Sequence, residues 1–238
     1  KTFFGESRMQ YVDYADWQQQ WLASPAVEDQ LNYWKRQLAG QTSLELPVDR
    51  ARPAVRSQRG AVAHFELDSD LTARLKRISR DADATLFMTL LAAYCVVLWS
   101  YSRQEDISIG TPFANRQLEE FENLIGLFAN TLVLRVDLSG NPVLRELLAR
   151  VRRVSLDALA HADVPFDKLV EELKPPRDLS RTPLFQVSFM MSNLAQTGLN
   201  FPGVASTPIK LETHTSKFDL TLAITEGAGR LSGVIEYS

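Results

Sequence analysis

Apolar residues return along this chain at helical spacing in some stretches and at every second position in others. Trp17 and Trp21, then Leu31, Trp34 and Leu38, predict two short helices over 13–22 and 26–38, parted by Ser24 and Pro25. Pro25 fits the first turn of the second helix, where its missing N–H costs nothing. A polar, proline-containing stretch over 40–60 carries Arg50, Arg52, Arg56 and Arg59 and predicts a long surface loop. Residues 62–67 alternate as a strand. Ser69 then caps a helix with apolar positions Leu71, Leu75 and Ile78. Residues 84–102 hold no charge and by length could span a bilayer. Thr85, Thr89 and Ser100 interrupt the run, it stands alone and its flanks are not strongly basic, so a buried core helix is expected.

The second half alternates more often. Strands are predicted over 106–112 and over 131–138, the latter with Leu132, Leu134, Val136 and Leu138 on one face. Asn141-Pro142 reads as a cap and first turn. The helix behind it lines up Leu144, Leu147, Leu148, Val151, Val154 and Ala158. A helix over 166–173 stops before Pro175-Pro176, and 185–192 is a strand. Residues 217–225 and 230–237 alternate around Glu226-Gly227-Ala228-Gly229, a hairpin signal. The expected fold class is α/β (α+β), a two-layer sandwich of a mixed β-sheet packed with helices.

Composition narrows the function. The chain has 238 residues, 45% hydrophobic and 23% charged, with a net charge of −3, as in ordinary globular proteins. No run of Lys and Arg forms a stripe, which argues against a nucleic-acid partner. Arg145, Arg150, Arg152 and Arg153 read as the wet face of one helix. Cys95 stands alone in an apolar run, so a disulfide framework is excluded, a cytoplasmic setting is expected and the thiol should be unreactive. The start at Lys1, without Met, is expected to mark a fragment.

No complete active site emerges from residue types. His64, His161 and His214 lie far apart, so a zinc site is not expected. There is no G-x-S-x-G elbow and no Gly-rich phosphate loop. The stretch HADVPFDKL at 161–169 has two readings: a catalytic His161 with its carboxylate, or a helix end and turn. Side chains two apart do not face each other, Asp163 and Pro165 suit a turn, and Asp167 suits the next helix start. The turn is the expected reading.

Several stretches are familiar in order and spacing. They are Tyr11-Val12-Asp13-Tyr14-Ala15-Asp16-Trp17, then Ile109-Gly110-Thr111-Pro112-Phe113-Ala114-Asn115-Arg116, then Ile125-Gly126-Leu127-Phe128-Ala129-Asn130-Thr131-Leu132 running on to Arg135. HADVPFDKLVEEL and RDLSRTPLFQVSF follow. Together they resemble the motifs of condensation domains from nonribosomal peptide synthetases. Ala129 stands for the usual Val, and Thr182 for the commoner Asn.

The resemblance implies a chloramphenicol-acetyltransferase-like fold of two lobes in a V around a tunnel. Donor and acceptor peptidyl carrier domains would present thioesters there on 4′-phosphopantetheine arms, and no cofactor would be bound directly. The family's H-H-x-x-x-D-G motif, which holds the catalytic His, is absent, since no His-His pair occurs anywhere. Residues 1–238 therefore resemble the C-terminal lobe, expected to be inactive without the N-terminal lobe. An exposed apolar face and self-association are then expected.

By resemblance, Arg116 matches an Arg that pairs with the Asp of that motif. Asn193, with Ser188 and Ser192 before it, matches a tunnel lining, against the plainer reading of a strand end. Gly126, Asn130 and Thr131 match tunnel-wall positions, with a structural reading preferred. Tyr11, Asp13 and Trp17, then His161, Asp163, Arg177, Asp178 and Arg181, match motifs read as structural. A neighbouring adenylation domain is implied, with no membrane partner. The alternative is a non-catalytic, condensation-like module that binds carriers or recruits partner enzymes; a standalone acyltransferase lacks a visible nucleophile or base.

Overall fold

The computed structural model describes residues 10–116, 119–122, 124–192, 203–204 and 213–238. In chain order these form α1 (Tyr11–Leu22), α2 (Ala26–Gln37), β1 (Ala61–Leu67), α3 (Ser69–Asp81), α4 (Leu86–Ser102), β2 (Asp106–Phe113) and α5 (Glu119–Glu122). Then come β3 (Asn130–Asp137), α6 (Leu144–Ala160), α7 (Phe166–Leu173), β4 (Val187–Ser192), β5 (Leu220–Gly227) and β6 (Arg230–Tyr237). One mixed sheet runs in the order β1-β6-β5-β4-β2-β3. Its centre, β5-β4-β2, is parallel; β6, β1 and β3 run antiparallel to their neighbours.

Helices α3, α4 and α6 pack on one another and on the sheet. Phe189 of β4 meets Phe87 and Tyr94 of α4 at ring-centre distances of 5.0 and 6.0 Å. Side chains alternate along a strand, so Ser188 points to the opposite face. The uncharged run is indeed a core helix: Leu91, Ala92 and Cys95 of α4 are fully buried. Thr85 caps it by accepting from the Met88 N–H at 3.2 Å. Among the described residues no single helix is long and apolar enough to cross a membrane.

Several local expectations are corrected. The cap of α3 is Asp68, not Ser69; its extended backbone lets the carboxylate accept from the Leu71 N–H at 2.8 Å. Asn141 does not cap α6, because its left-handed backbone (φ 52°) cannot serve at an N-cap, which needs an extended one. Val143 takes that place, and Glu146 reaches back to accept from its N–H at 3.1 Å. Leu144 falls outside the buried stripe of α6 and stays exposed. β4 begins at Val187 rather than 185, since Phe185 N–H is spent on the Pro183 carbonyl and Leu184 is left-handed. The hairpin forms with a tighter turn than expected: β5 starts at Leu220 rather than 217 and runs on through Gly227, leaving Ala228 and Gly229, both with positive φ (50° and 74°), the geometry of a type I′ turn.

The 40–60 stretch is irregular but not a free loop. Leu44 is buried, and Arg52 and Arg56 both reach Asp219 just before β5. It is a strap fastened across the N-terminal ends of the parallel strands.

Candidate functional site

In open α/β sheets, ligands bind beyond the carboxyl ends of the parallel strands. At that end β2 runs out at Phe113, Asn115 turns left-handed (φ 52°) and Arg116 follows. Three stretches singled out in the sequence meet here. Tyr14 of α1, Phe121 of α5, and Leu124 and Phe128 form a separate buried cluster, with the half-buried Tyr11 packed against it. The Tyr14 ring lies 4.6 Å from Phe128 and 5.2 Å from Phe121, and Tyr11 meets Phe128 edge-on at 5.3 Å. Such ring pairs add about 0.5–1.5 kcal/mol beyond area burial.

Polar groups pin the cluster. The Tyr14 hydroxyl accepts from Asn115 Nδ2 at 3.3 Å and from Gln18 Nε2 at 3.0 Å. Burial, then the neighbouring Tyr11 and Asp163, pushes its pKa above the ordinary range, so it stays a neutral partner. The Tyr11 hydroxyl donates to the Leu127 carbonyl at 2.9 Å. Gly126 is required between them: a Cβ there would stand 2.1 Å from the Tyr11 ring. Asp13 accepts from the Gln10 N–H at 2.7 Å and closes the first turn of α1. Trp17 continues the ring series, 5.9 Å from Tyr14, with about half its surface open.

Arg116 lies on this platform. Its guanidinium carbon stands 4.3 Å from the centre of the Phe128 ring. Nη1 donates to the Phe121 carbonyl and, at 3.5 Å, to that of Glu122. No carboxylate among the described residues forms an ion pair with it.

Asn130 and Thr131 open β3 in the same neighbourhood. The Asn130 amide is fully used: Nδ2 donates to the Ala162 and Val164 carbonyls, both at 2.8 Å, and Oδ1 accepts from the Thr131 and Phe166 N–H groups at 2.8 and 2.9 Å. It staples the 161–166 turn to the sheet. His161 and Asp163 of that turn are drawn to different partners. The His161 ring stacks on Tyr33 at 3.9 Å, with Nδ1 2.6 Å from the Asp157 carbonyl, and its own carbonyl accepts from Trp34 Nε1 at 2.8 Å. Asp163 accepts from Gln30 Nε2 at 2.7 Å and donates its N–H to Gln30 Oε1 at 3.1 Å. Burial pushes the Tyr33 phenol up to about 12, with Asp157 adding to the shift.

Ser188 is buried beside Gly110 across the β2–β4 pairing, and Ser192 ends β4 at the same edge as Arg116. Asn193 lies outside the described residues. Arg177, Asp178 and Arg181 belong to the opposite end of the sheet. There Arg181 pairs with Glu45 at 2.7 Å and with Asp178 at 3.5 Å, while Asp178 accepts from the Ser180 N–H and hydroxyl at 2.8 and 2.6 Å. Arg177 is exposed on the rim of a 1320 Å³ cleft between 38–45 and 170–184.

Sequence reasoning missed Phe128 as the partner of Arg116, and Tyr14 and Asn115 as the pair that ties its backbone to the cluster, although all three stand inside the quoted motifs. It also missed Arg52, Arg56 and Asp219, for which spacing carried no signal. Among the described residues no group of three or more His, Cys, Asp or Glu could hold a metal ion.

The model of the condensation domain matches residues 4–238. The chain is 48% identical over 236 residues to a component of the linear gramicidin synthase of Brevibacillus parabrevis and 47% identical over 232 residues to malpinin synthetase of Mortierella alpina. It covers 98% and 97% of itself in these matches, but only 5% and 3% of the relatives' length. Among solved structures, the X-domain from teicoplanin biosynthesis superposes with a TM-score of 0.89 at 32% identity, over 99% of this chain and 55% of that one. The first condensation domain of the calcium-dependent antibiotic synthetase shares the fold, with a TM-score of 0.74 at 16% identity, over 100% of this chain and 51% of that one.

Proposed function

The chain belongs to the condensation-domain family, and from that membership we propose that it serves as the C-terminal lobe of an amide-forming domain in a nonribosomal peptide synthetase. The reaction joins a donor acyl or peptidyl thioester to the amine of an acceptor aminoacyl thioester. The acceptor nitrogen attacks the donor carbonyl, the C–N bond forms, the C–S bond breaks and the donor thiol leaves. The amine proton needs a base. His161 is a poor one: its ring lies against Tyr33 and its Nδ1 against a backbone carbonyl. The base therefore comes from the N-terminal lobe, in its H-H-x-x-x-D-G motif.

The observation that carries this reading is the Arg116 guanidinium at the carboxyl ends of the parallel strands, held from below and without an ion-pair partner among the described residues. We assign it to the Asp of that upstream motif. Gly126, Thr131, Ser188, Ser192 and Asn193 are assigned to the tunnel wall, Asn130 to the staple behind it, and Tyr11, Asp13, Trp17, His161, Asp163, Arg177, Asp178 and Arg181 to the framework. Phosphopantetheine arms of donor and acceptor carriers would enter from the two tunnel mouths, with an adenylation domain as neighbour in the longer protein.

The likeness to the teicoplanin X-domain, which has been solved in complex with OxyB, supports a second reading, a module that recruits another enzyme. The higher identity to the gramicidin synthase, 48% against 32%, favours amide formation. The test is dipeptidyl-thioester formation from two loaded carrier domains, with this chain alone and with a separately expressed N-terminal lobe. Product only with both halves is the expected result. Product from this chain alone overturns the lobe assignment, and carrier binding with no product from both halves favours recruitment.

A further inference from the structure

We infer that Phe128 is a positioning residue for Arg116: its ring and two backbone carbonyls fix the guanidinium so that the Nε and Nη2 edge is presented to a carboxylate. A long arginine side chain has many rotamers to lose, so a free one is a poor fixed receptor. Arg116 is held on two sides. Its guanidinium carbon lies 4.3 Å from the ring centre, and Nη1 donates to the carbonyls of Phe121 and Glu122.

Donor accounting gives the orientation. A guanidinium has five N–H groups. The two on Nη1 face the carbonyls of α5. The three on Nε and Nη2 have no partner among the described residues, and that edge is the fork that takes a carboxylate with two parallel bonds.

The ring is itself packed on several sides. Phe128 is 3% exposed and wedged by Tyr14 at 4.6 Å, Tyr11 at 5.3 Å and Phe121 at 5.5 Å. The backbone that delivers Arg116 is tied to the same cluster, because the Asn115 amide donates to the Tyr14 hydroxyl. A leucine could fill the apolar volume but could not attract a cation. A ring face attracts a cation, and more strongly where water is excluded. The holding of Arg116 stands on this geometry alone; only its use for a carboxylate rests on the proposed function.

The test places mono-, di- and trifluorophenylalanine at 128 in the full chain and follows rotation of the Arg116 guanidinium about Cζ–Nε by NMR of its Nε–Hε group. Fluorine drains the ring face while nearly keeping its volume. Rotation is expected to quicken stepwise, by roughly two- to tenfold over the series, with the thermal midpoint little changed. An unchanged rate across the series overturns the inference, as does retention of slow rotation in Phe128→Leu. If the trifluoro protein fails to fold, the monofluoro step and Phe128→Leu give the same decision. The carboxylate assignment is tested apart, by restoring association of Arg116→Glu with an N-terminal lobe whose motif Asp is changed to Arg; its failure leaves the rotation result standing.

Discussion

Asp219 accepts hydrogen bonds from both terminal nitrogens of Arg52, across 167 positions of sequence. The pair fastens the strap to the foot of β5, and Arg56 reaches the same carboxylate at 4.0 Å. Burial lowers the pKa of Arg56, which marks a guanidinium taken largely out of water.

Asp219→Asn keeps the volume and removes the charge from beneath two arginines. Both ends of the Arg52 pair are largely but not fully buried, so the cost should fall below that of a fully buried pair, at about 1–3 kcal/mol. Urea unfolding should show a lower midpoint with an unchanged slope.

Gly126→Ala puts a methyl group 2.1 Å from the Tyr11 ring. The overlap should cost about 1–3 kcal/mol. In Tyr11→Ala the same methyl meets no ring and should cost far less. A double-mutant cycle should therefore give a coupling of at least about 1 kcal/mol; additive effects would show that the loop shifts freely.

Tyr33 carries a buried hydroxyl with no partner among the described residues. Tyr33→Phe should be neutral or stabilising by about 1 kcal/mol at neutral pH. The folded-state pKa is raised to about 12, above the unfolded value of about 10. The unfolded chain therefore gives up this proton first, and stability falls as pH rises through that interval. Wild type should lose stability relative to Tyr33→Phe above pH ~10 and match its trend below.

Cys95 offers a direct report on the core. Burial pushes its thiol up to about 12, and no atom of it meets solvent. Labelling of the native chain at pH ~8 should be slow and should track global unfolding as denaturant is added. Fast labelling without denaturant would mean that α4 opens locally.

The strand alternation and the uncharged run of α4 were legible because one face of each element meets the core, which imposes a period. The motifs that converge on Arg116 were legible as motifs only. Spacing gave no hint that Phe128 sits under its guanidinium with Tyr14 packed against that ring, since ring contacts between distant segments leave no periodicity. The strap was misread because Arg52 and Arg56 look like solvated charges until Asp219 is brought beneath them. Ser69 and Asn141 failed as caps because the cap is chosen by backbone conformation as well as by side chain. Asn130 was read as a tunnel-wall position with a structural reading preferred, and spacing could not announce the four hydrogen bonds its side chain makes.

The sheet order also sets a timetable. β1 pairs with β6, Ala61 opposite Tyr237, and β2 finds β4 only after β3, α6 and α7 have intervened. During synthesis at about 5–20 residues per second, β1 waits roughly 10–35 s for its neighbour. Through that interval Val62 and Phe65 stand on an unpaired strand edge, a site for chance pairing with other chains. The stretch where this protein is most exposed to misassembly is thus fixed by its topology, and slow translation of the segment before β6 should raise the aggregated fraction.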